Sequence, residues 1–163
     1  MKTDLRVYRE AVLAAMADSA AKPVVFENEG PDHAKIVLDV MMESSGHHLD
    51  IVAGRMDTCW SADKLRAFLD RSDEETRVIL DDCPIGSVPE TSALSKLRDH
   101  PRVAIRWLPS PFDYHFSVAD SRDIRVEYDR EARKASITFG DEGGAGLRVT
   151  RLFNSLWAVA VSK

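Results

Sequence analysis

The residues of this chain whose types suit chemistry are a histidine, a serine and a set of acids and arginines in loop-like stretches. His115 and Ser117 lie two apart in the run His-Phe-Ser-Val-Ala-Asp, which ends at Asp120. Residues at i and i+2 of an extended chain face the same side, so His115 and Ser117 share a face. The imidazole has two readings: a nucleophile or binding group, or a buried ring hydrogen-bonded to a backbone group or an acid. Residue type alone favours the buried ring. Arg55 and Asp57 follow one strand-like segment, and Asp81, Asp82 and Cys83 follow another. Loops at the carboxyl ends of parallel strands are where α/β sheets hold ligands. Arg55 is the natural anion ligand there, or it pairs with Asp57 or Asp81; the lack of a glycine-rich phosphate loop favours the pair. A nucleophilic cysteine needs a base and a depressed pKa, and no pattern around Cys59 or Cys83 supplies them, so inert thiols are expected. His47 and His48 are adjacent, point apart on an extended chain and make a poor metal pair, so exposed linker residues are expected. No cofactor and no metal is expected.

The elements that must position these residues follow from periodicity. Leu5, Tyr8, Val12, Ala15 and Met16 predict a helix over 4–20, closed by Pro23. Val24-Val25-Phe26 predicts a strand, and 32–45 a second helix. Leu49–Ala53 then reads as a strand, 61–71 as a helix with Ser61 as its N-cap, and 76–80 as a strand. A short helix over 91–100 and a strand over 102–108 complete a β–α–β–α–β run, which predicts parallel strands. Three further strands, 115–120, 124–128 and 135–139, predict an antiparallel meander. In the second, Ile124, Val126 and Tyr128 are expected inward, with Arg125, Glu127 and Asp129 wet. Residues 120–134 mix both charge signs and read as a solvated hairpin. Val149, Leu152, Phe153, Leu156, Trp157 and Ala160 mark a closing helix. The expected architecture is a single α/β domain. Its mixed sheet, a parallel core plus an antiparallel meander, is flanked by helices. Residues 1–30 form an N-terminal helix and strand, and 31–163 the main unit.

Composition excludes some functions. With 163 residues, 22 Lys+Arg against 27 Asp+Glu and a net charge of −5, the chain lacks the basic excess of a dedicated phosphate-backbone binder. The same charge counts against an acidic membrane surface. Aromatics that interleave with the arginines, Trp107 and Tyr128, belong to the expected inward set. The N-terminal stretch carries Asp4, Arg6, Arg9 and Glu10 through its apolar residues, unlike a signal peptide, and no run reaches membrane-spanning length. A cytoplasmic, soluble protein is expected.

From Asp32 onward the order of elements resembles the phospholipase D-like fold. The segments that carry it are LDIVAG, SADKLRAFLDR, RVILDD, RVAIRWLP leading through SPFDY into HFSVAD, and the ending LFNSLWAVA. Active members carry a His-x-Lys motif with a downstream Asp, and two copies meet at one site. The resemblance places His115 at the nucleophile position, with Ser117 in place of the lysine. Arg122 stands where the Asp is expected, and Asp120 and Asp123 are off register. Serine supplies no fixed charge to a phosphoryl transition state. The resemblance therefore implies the fold without its usual chemistry: a non-catalytic binding, sensing or assembly module with a protein partner. The alternative is a phosphodiesterase or nuclease using His115, Ser117 and Asp120, with Arg106 or Arg122 replacing the lysine. A homodimer is expected around the stiff Pro109–Pro111 approach, anchored by Phe112 and Tyr114.

Overall fold

A computed structural model describes residues 4–163. Helix α1 (Leu5–Asp18) starts where the Asp4 carboxylate accepts the Arg6 N–H at 2.9 Å. Strand β1 (Val24–Asn28) leads to α2 (Pro31–Ser44), whose proline occupies the first turn, where its missing N–H costs nothing. Strand β2 (Leu49–Ala53), helix α3 (Ala62–Arg71, capped by Ser61 Oγ) and strand β3 (Thr76–Leu80) follow. Then come β4 (Val103–Trp107), β5 (His115–Ala119), β6 (Asp123–Asp129), β7 (Lys134–Phe139) and α4 (Ala145–Val159).

The strands form one sheet of order β1-β7-β6-β5-β2-β3-β4. β2, β3 and β4 are parallel, and every other pairing is antiparallel. This is the mixed α/β sheet expected from the sequence. The N-terminal segment is built into it, because β1 pairs with β7 from Val24↔Phe139 to Asn28↔Ala135.

Helices cover the two faces unequally. One face buries Ile51, Val78, Leu80, Ile137 and Phe139 against Val12 of α1, Val37 and Met41 of α2, and Leu65 and Phe68 of α3. The other buries Val52, Ile79 and Phe116 against Phe153 of α4. That second layer is tied to the sheet by buried polar chemistry. Asp50, fully buried, takes a bidentate pair from Arg77 at 2.8 and 2.7 Å, and the guanidinium lies over the rings of Phe153 (4.8 Å) and Trp157 (5.6 Å).

Two expectations are corrected here. Residues 91–100 form successive tight turns rather than a helix, with Leu97 N–H donating to Leu94 and His100 N–H to Leu97. Leu94 and Leu97 are buried all the same; single turns suffice, and so short a segment gains little from nucleating a helix. β6 also departs from the expectation: Ile124 is buried and Val126 packs on the core as expected, but Arg125 and Glu127 on the opposite face are buried too, and Tyr128 is 50% exposed. No helix covers Tyr128, whereas the face carrying Arg125 and Glu127 lies under the α1–α2–α3 layer. The stretch 120–134 is thus only partly solvated, with Asp123 buried as well.

The β5–β6 turn and α4 meet at Gly146, which is buried. A Cβ there would overlap the Ser121 carbonyl and the Arg122 nitrogen. Gly146→Ala is therefore expected to destabilise the fold by about 3 kcal/mol. Gly46→Ala, whose Cβ meets nothing within 4 Å, is expected to stay within about 0.5 kcal/mol of the parent. Urea unfolding midpoints check the pair.

Candidate functional site

His115 opens β5, next to the carboxyl ends of β2 and β3. The chain reverses after Ala119 through the three residues Asp120, Ser121 and Arg122, the first two at positive φ (53° and 52°), with the Arg122 N–H returning to the Ala119 carbonyl at 3.0 Å. The resulting register places His115 opposite Glu127 and Ser117 opposite Arg125. Cross-strand partners share a face, so four polar residues line up under the helical layer. All four are buried: His115 8%, Ser117 2%, Arg125 5% and Glu127 4% exposed.

Asp81, just beyond β3, completes the group. Both its oxygens contact His115 Nε2, at 3.0 and 3.1 Å. The Phe112 N–H donates to one of them at 2.8 Å, and Arg130 lies 3.6 Å away. On the ring's other side, Nδ1 is 3.6 Å from Glu127, whose carboxylate also pairs with Arg125 (3.1 Å) and Arg133 (3.2 Å). Arg125 is steadied by Asn28 Oδ1 at 3.1 Å, and Arg133 donates to Thr58 Oγ1 at 2.7 Å. Burial disfavours the charged imidazole, but the Asp81 and Glu127 carboxylates outweigh it and hold the His115 pKa above the ordinary histidine value. Burial likewise opposes ionisation of Glu127, and His115, Arg125 and Arg133 together bring its pKa below the ordinary glutamate value.

Above the ring is a cleft of about 310 Å³ lined by Gly54, Arg55, Asp57, Asp82, His115, Arg130 and Arg133. Gly54 is needed for close approach: a Cβ would come within 3.3 Å of His115 Cε1. Three guanidinium groups, of Arg55, Arg130 and Arg133, therefore share the cleft with the His115 ring. Arg55 pairs with Asp82, through its side chain at 3.3 Å and its carbonyl at 2.9 Å, rather than with Asp57 or Asp81. Asp57 lines the same cleft.

The remaining sequence candidates lie elsewhere. Asp120 is at the far end of β5, about 17 Å along the chain from His115. Its carboxylate accepts the backbone N–H groups of Gly46, His47 and His48, so it organises the entry to β2 and not the histidine site. Arg106 donates to the Trp157 carbonyl and Arg122 to Ser19, so neither replaces a lysine at His115. His48 is no free linker residue: it bridges the buried Asp50 (2.8 Å) and Glu74 (3.0 Å). Burial pushes both thiols up, Cys59 and Cys83 alike. Phe112 packs into its own core beside α4, while Tyr114 is 52% exposed.

Glu127, Arg130 and Arg133 were not singled out as site residues by the sequence. The signal is the turn after Ala119: with the three residues 120–122 in it, pairing outward sets Glu127 opposite His115 and Arg125 opposite Ser117.

The fold has counterparts among solved structures. Nuc from Salmonella typhimurium, a phospholipase D family member, superposes with a TM-score of 0.68 at 10% identity over 87% of this chain and 99% of its own. NucT from Helicobacter pylori gives 0.65 at 12% identity, over 87% of this chain and 100% of its own. The fold is phospholipase D-like. TrmBL2, an archaeal chromatin protein with a novel mode of DNA binding, gives 0.67 at 17% identity over 97% of this chain; the match spans 62% of TrmBL2. No protein-family model and no curated protein matches the sequence. Among the described residues, no helix of this phospholipase D-like chain is long and apolar enough to cross a membrane.

The two shifted groups set a pH window. The His115 pKa is raised, so its stabilisation is full below the ordinary value near 6.5 and fades as pH rises through the folded pKa. The Glu127 pKa is lowered, so its stabilisation is full above the ordinary value near 4.5 and fades as pH falls through the folded pKa. Urea unfolding against pH is expected to show both contributions intact between those two values. In Asp81→Asn the His115 pKa, followed by the imidazole proton resonances, is expected to fall. An unchanged value would remove Asp81 as its cause.

Proposed function

We propose that this chain is a non-catalytic binding or assembly module on the phospholipase D-like fold, whose cleft over His115 receives an anionic, phosphate-type group of its partner. The observation that carries this reading is the engagement of His115 Nε2 by both oxygens of the buried Asp81. A histidine nucleophile attacks through a ring-nitrogen lone pair. A ring nitrogen that donates its N–H to a carboxylate has no lone pair to offer. Ser117, buried opposite Arg125, adds no charge. The convergence of Arg55, Arg130 and Arg133 supports anion recognition, since guanidinium groups match phosphate oxygens in charge and geometry. The net charge of −5 favours a protein partner over a long nucleic-acid backbone.

The alternative is a phosphodiesterase that uses His115 with Arg130 or Arg133 in place of the absent lysine. It is favoured by the shared cleft and by the likeness to Nuc. The purified chain, incubated with bis(4-nitrophenyl) phosphate and with DNA, is expected to give no turnover above the blank. Inorganic phosphate is expected to perturb the His115 ring resonances, and Arg130→Ala with Arg133→Ala to abolish that response. Turnover that disappears in His115→Ala would establish the alternative. A ring unaffected by phosphate would remove the anion site.

A further inference from the structure

Every cation of the cleft over His115 already answers a carboxylate, and one carboxylate is left over. Arg55 pairs with Asp82 at 3.3 Å, Arg130 lies 3.6 Å from Asp81, and Arg133 lies 3.2 Å from Glu127. Asp57 is the exception: it lines the same cleft, it is exposed, and no cation pairs with it among the described residues. The matched arginines still have donors to give. Arg55 turns only its Nε–H to Asp82, so both terminal nitrogens remain, and Arg130 is too far from Asp81 for a hydrogen bond. Arg133 is committed further, to Glu127 through Nη1 and to Thr58 through Nη2.

We propose that the cleft receives a phosphorylated serine or threonine of a protein partner together with a basic residue beside it, the phosphate facing Arg55, Arg130 and Arg133 and the basic side chain facing Asp57. This rests on the anion site proposed above and names what fills it. A phosphomonoester brings about two negative charges and a full set of terminal oxygens, which suits several guanidinium forks better than a carboxylate or a diester does. Because the arginines are internally matched, a bare anion meets little net charge. A ligand that carries its own cation for Asp57 completes the balance on both sides.

The same features select against other phosphates. A nucleic-acid strand repeats its phosphates and brings no cation. The exposed acids Asp57 and Asp82, with Asp113 next to Phe112 and Glu131 next to Arg130, would oppose the neighbouring phosphates. At about 310 Å³ the cleft is at the small end for a ligand site, and no aliphatic or phenyl side chain lines it among the described residues. A phosphotyrosine ring would find no apolar wall there, whereas the short arm of phosphoserine or phosphothreonine needs none.

Binding of short fluorescent peptides to the full chain, followed by anisotropy, tests this. A phosphoserine peptide with an arginine on either side is expected to bind at least about tenfold more tightly than its unphosphorylated form. The same margin is expected over the phosphopeptide whose arginines are replaced by glutamates. The phosphotyrosine version and a terminally phosphorylated oligothymidylate are expected to bind more weakly than the arginine-flanked phosphoserine. Asp57→Asn alters an exposed, unpaired side chain, so the fold is kept. It is expected to remove most of the arginine-over-glutamate preference while inorganic phosphate, freed of a repelling charge, binds more tightly. Glutamate flanks bound as tightly as arginine flanks overturn the proposal. So does an oligonucleotide or a phosphotyrosine peptide bound more tightly than the phosphoserine peptide, or a preference retained in full by Asp57→Asn. If inorganic phosphate still perturbs the His115 ring in those cases, the anion site stands without its phosphopeptide. A chain that responds to neither inorganic phosphate nor any phosphopeptide overturns both.

Discussion

A carboxylate with no exposed side-chain surface must be given donors, and in this protein meeting that demand at Asp81 organises the whole cleft. His115 supplies one nitrogen, the Phe112 backbone another, and Arg130 a guanidinium from the β6–β7 turn. Once the imidazole is committed to Asp81, its other edge faces Glu127, and Glu127 in turn needs Arg125 and Arg133. Arg125 reaches Asn28 at the end of β1, so the chain of pairings crosses from the carboxyl end of β3 to the far edge strand. Removing any one member would strand a buried charge, and that is costlier than never having built the pair.

The opposite face of the sheet solves the same problem with different chemistry. Asp50 is neutralised by Arg77, and the flat guanidinium then serves as packing surface for Phe153 and Trp157 of α4. Arg106 does likewise, lying 4.5 Å from the Trp157 ring centre while donating to that residue's carbonyl. A single helix is therefore held over β2, β3 and β5 by cations as much as by apolar contact. The other helical layer is joined through ordinary hydrophobic packing, with Leu65, Phe68 and Leu69 fully buried.

The two arrangements bear differently on function. The pairings around Asp50 fix a helix. Those around Asp81 end in a cleft where Arg55, Arg130 and Arg133 reach solvent. His115 stands at the mouth of the sheet with its ring nitrogens turned to the Asp81 and Glu127 carboxylates. Positive charge comes from the β6–β7 hairpin rather than from the residue two after the histidine.

The sequence by itself determined the element order, the parallel core, the meander and the closing helix, because those rest on local periodicity, capping and turn chemistry. His115 and Ser117 were assigned to one face by strand alternation alone, and the absence of a lysine at 117 is plain in the chain. Only the tertiary structure decided that β6 is dry on both faces over most of its length. Alternation distinguishes two faces but not how many of them are covered, so Arg125 and Glu127 read as wet and are buried. The partners of His115 were hidden for a related reason. Asp81 and Glu127 are 34 and 12 positions from it, and ion pairs at such separations depend on register and on how β3 lies against its neighbours. The fate of Asp120 was decided in the same way: a turn at positive φ carries it to the far end of β5, where distance along the strand excludes it from the histidine.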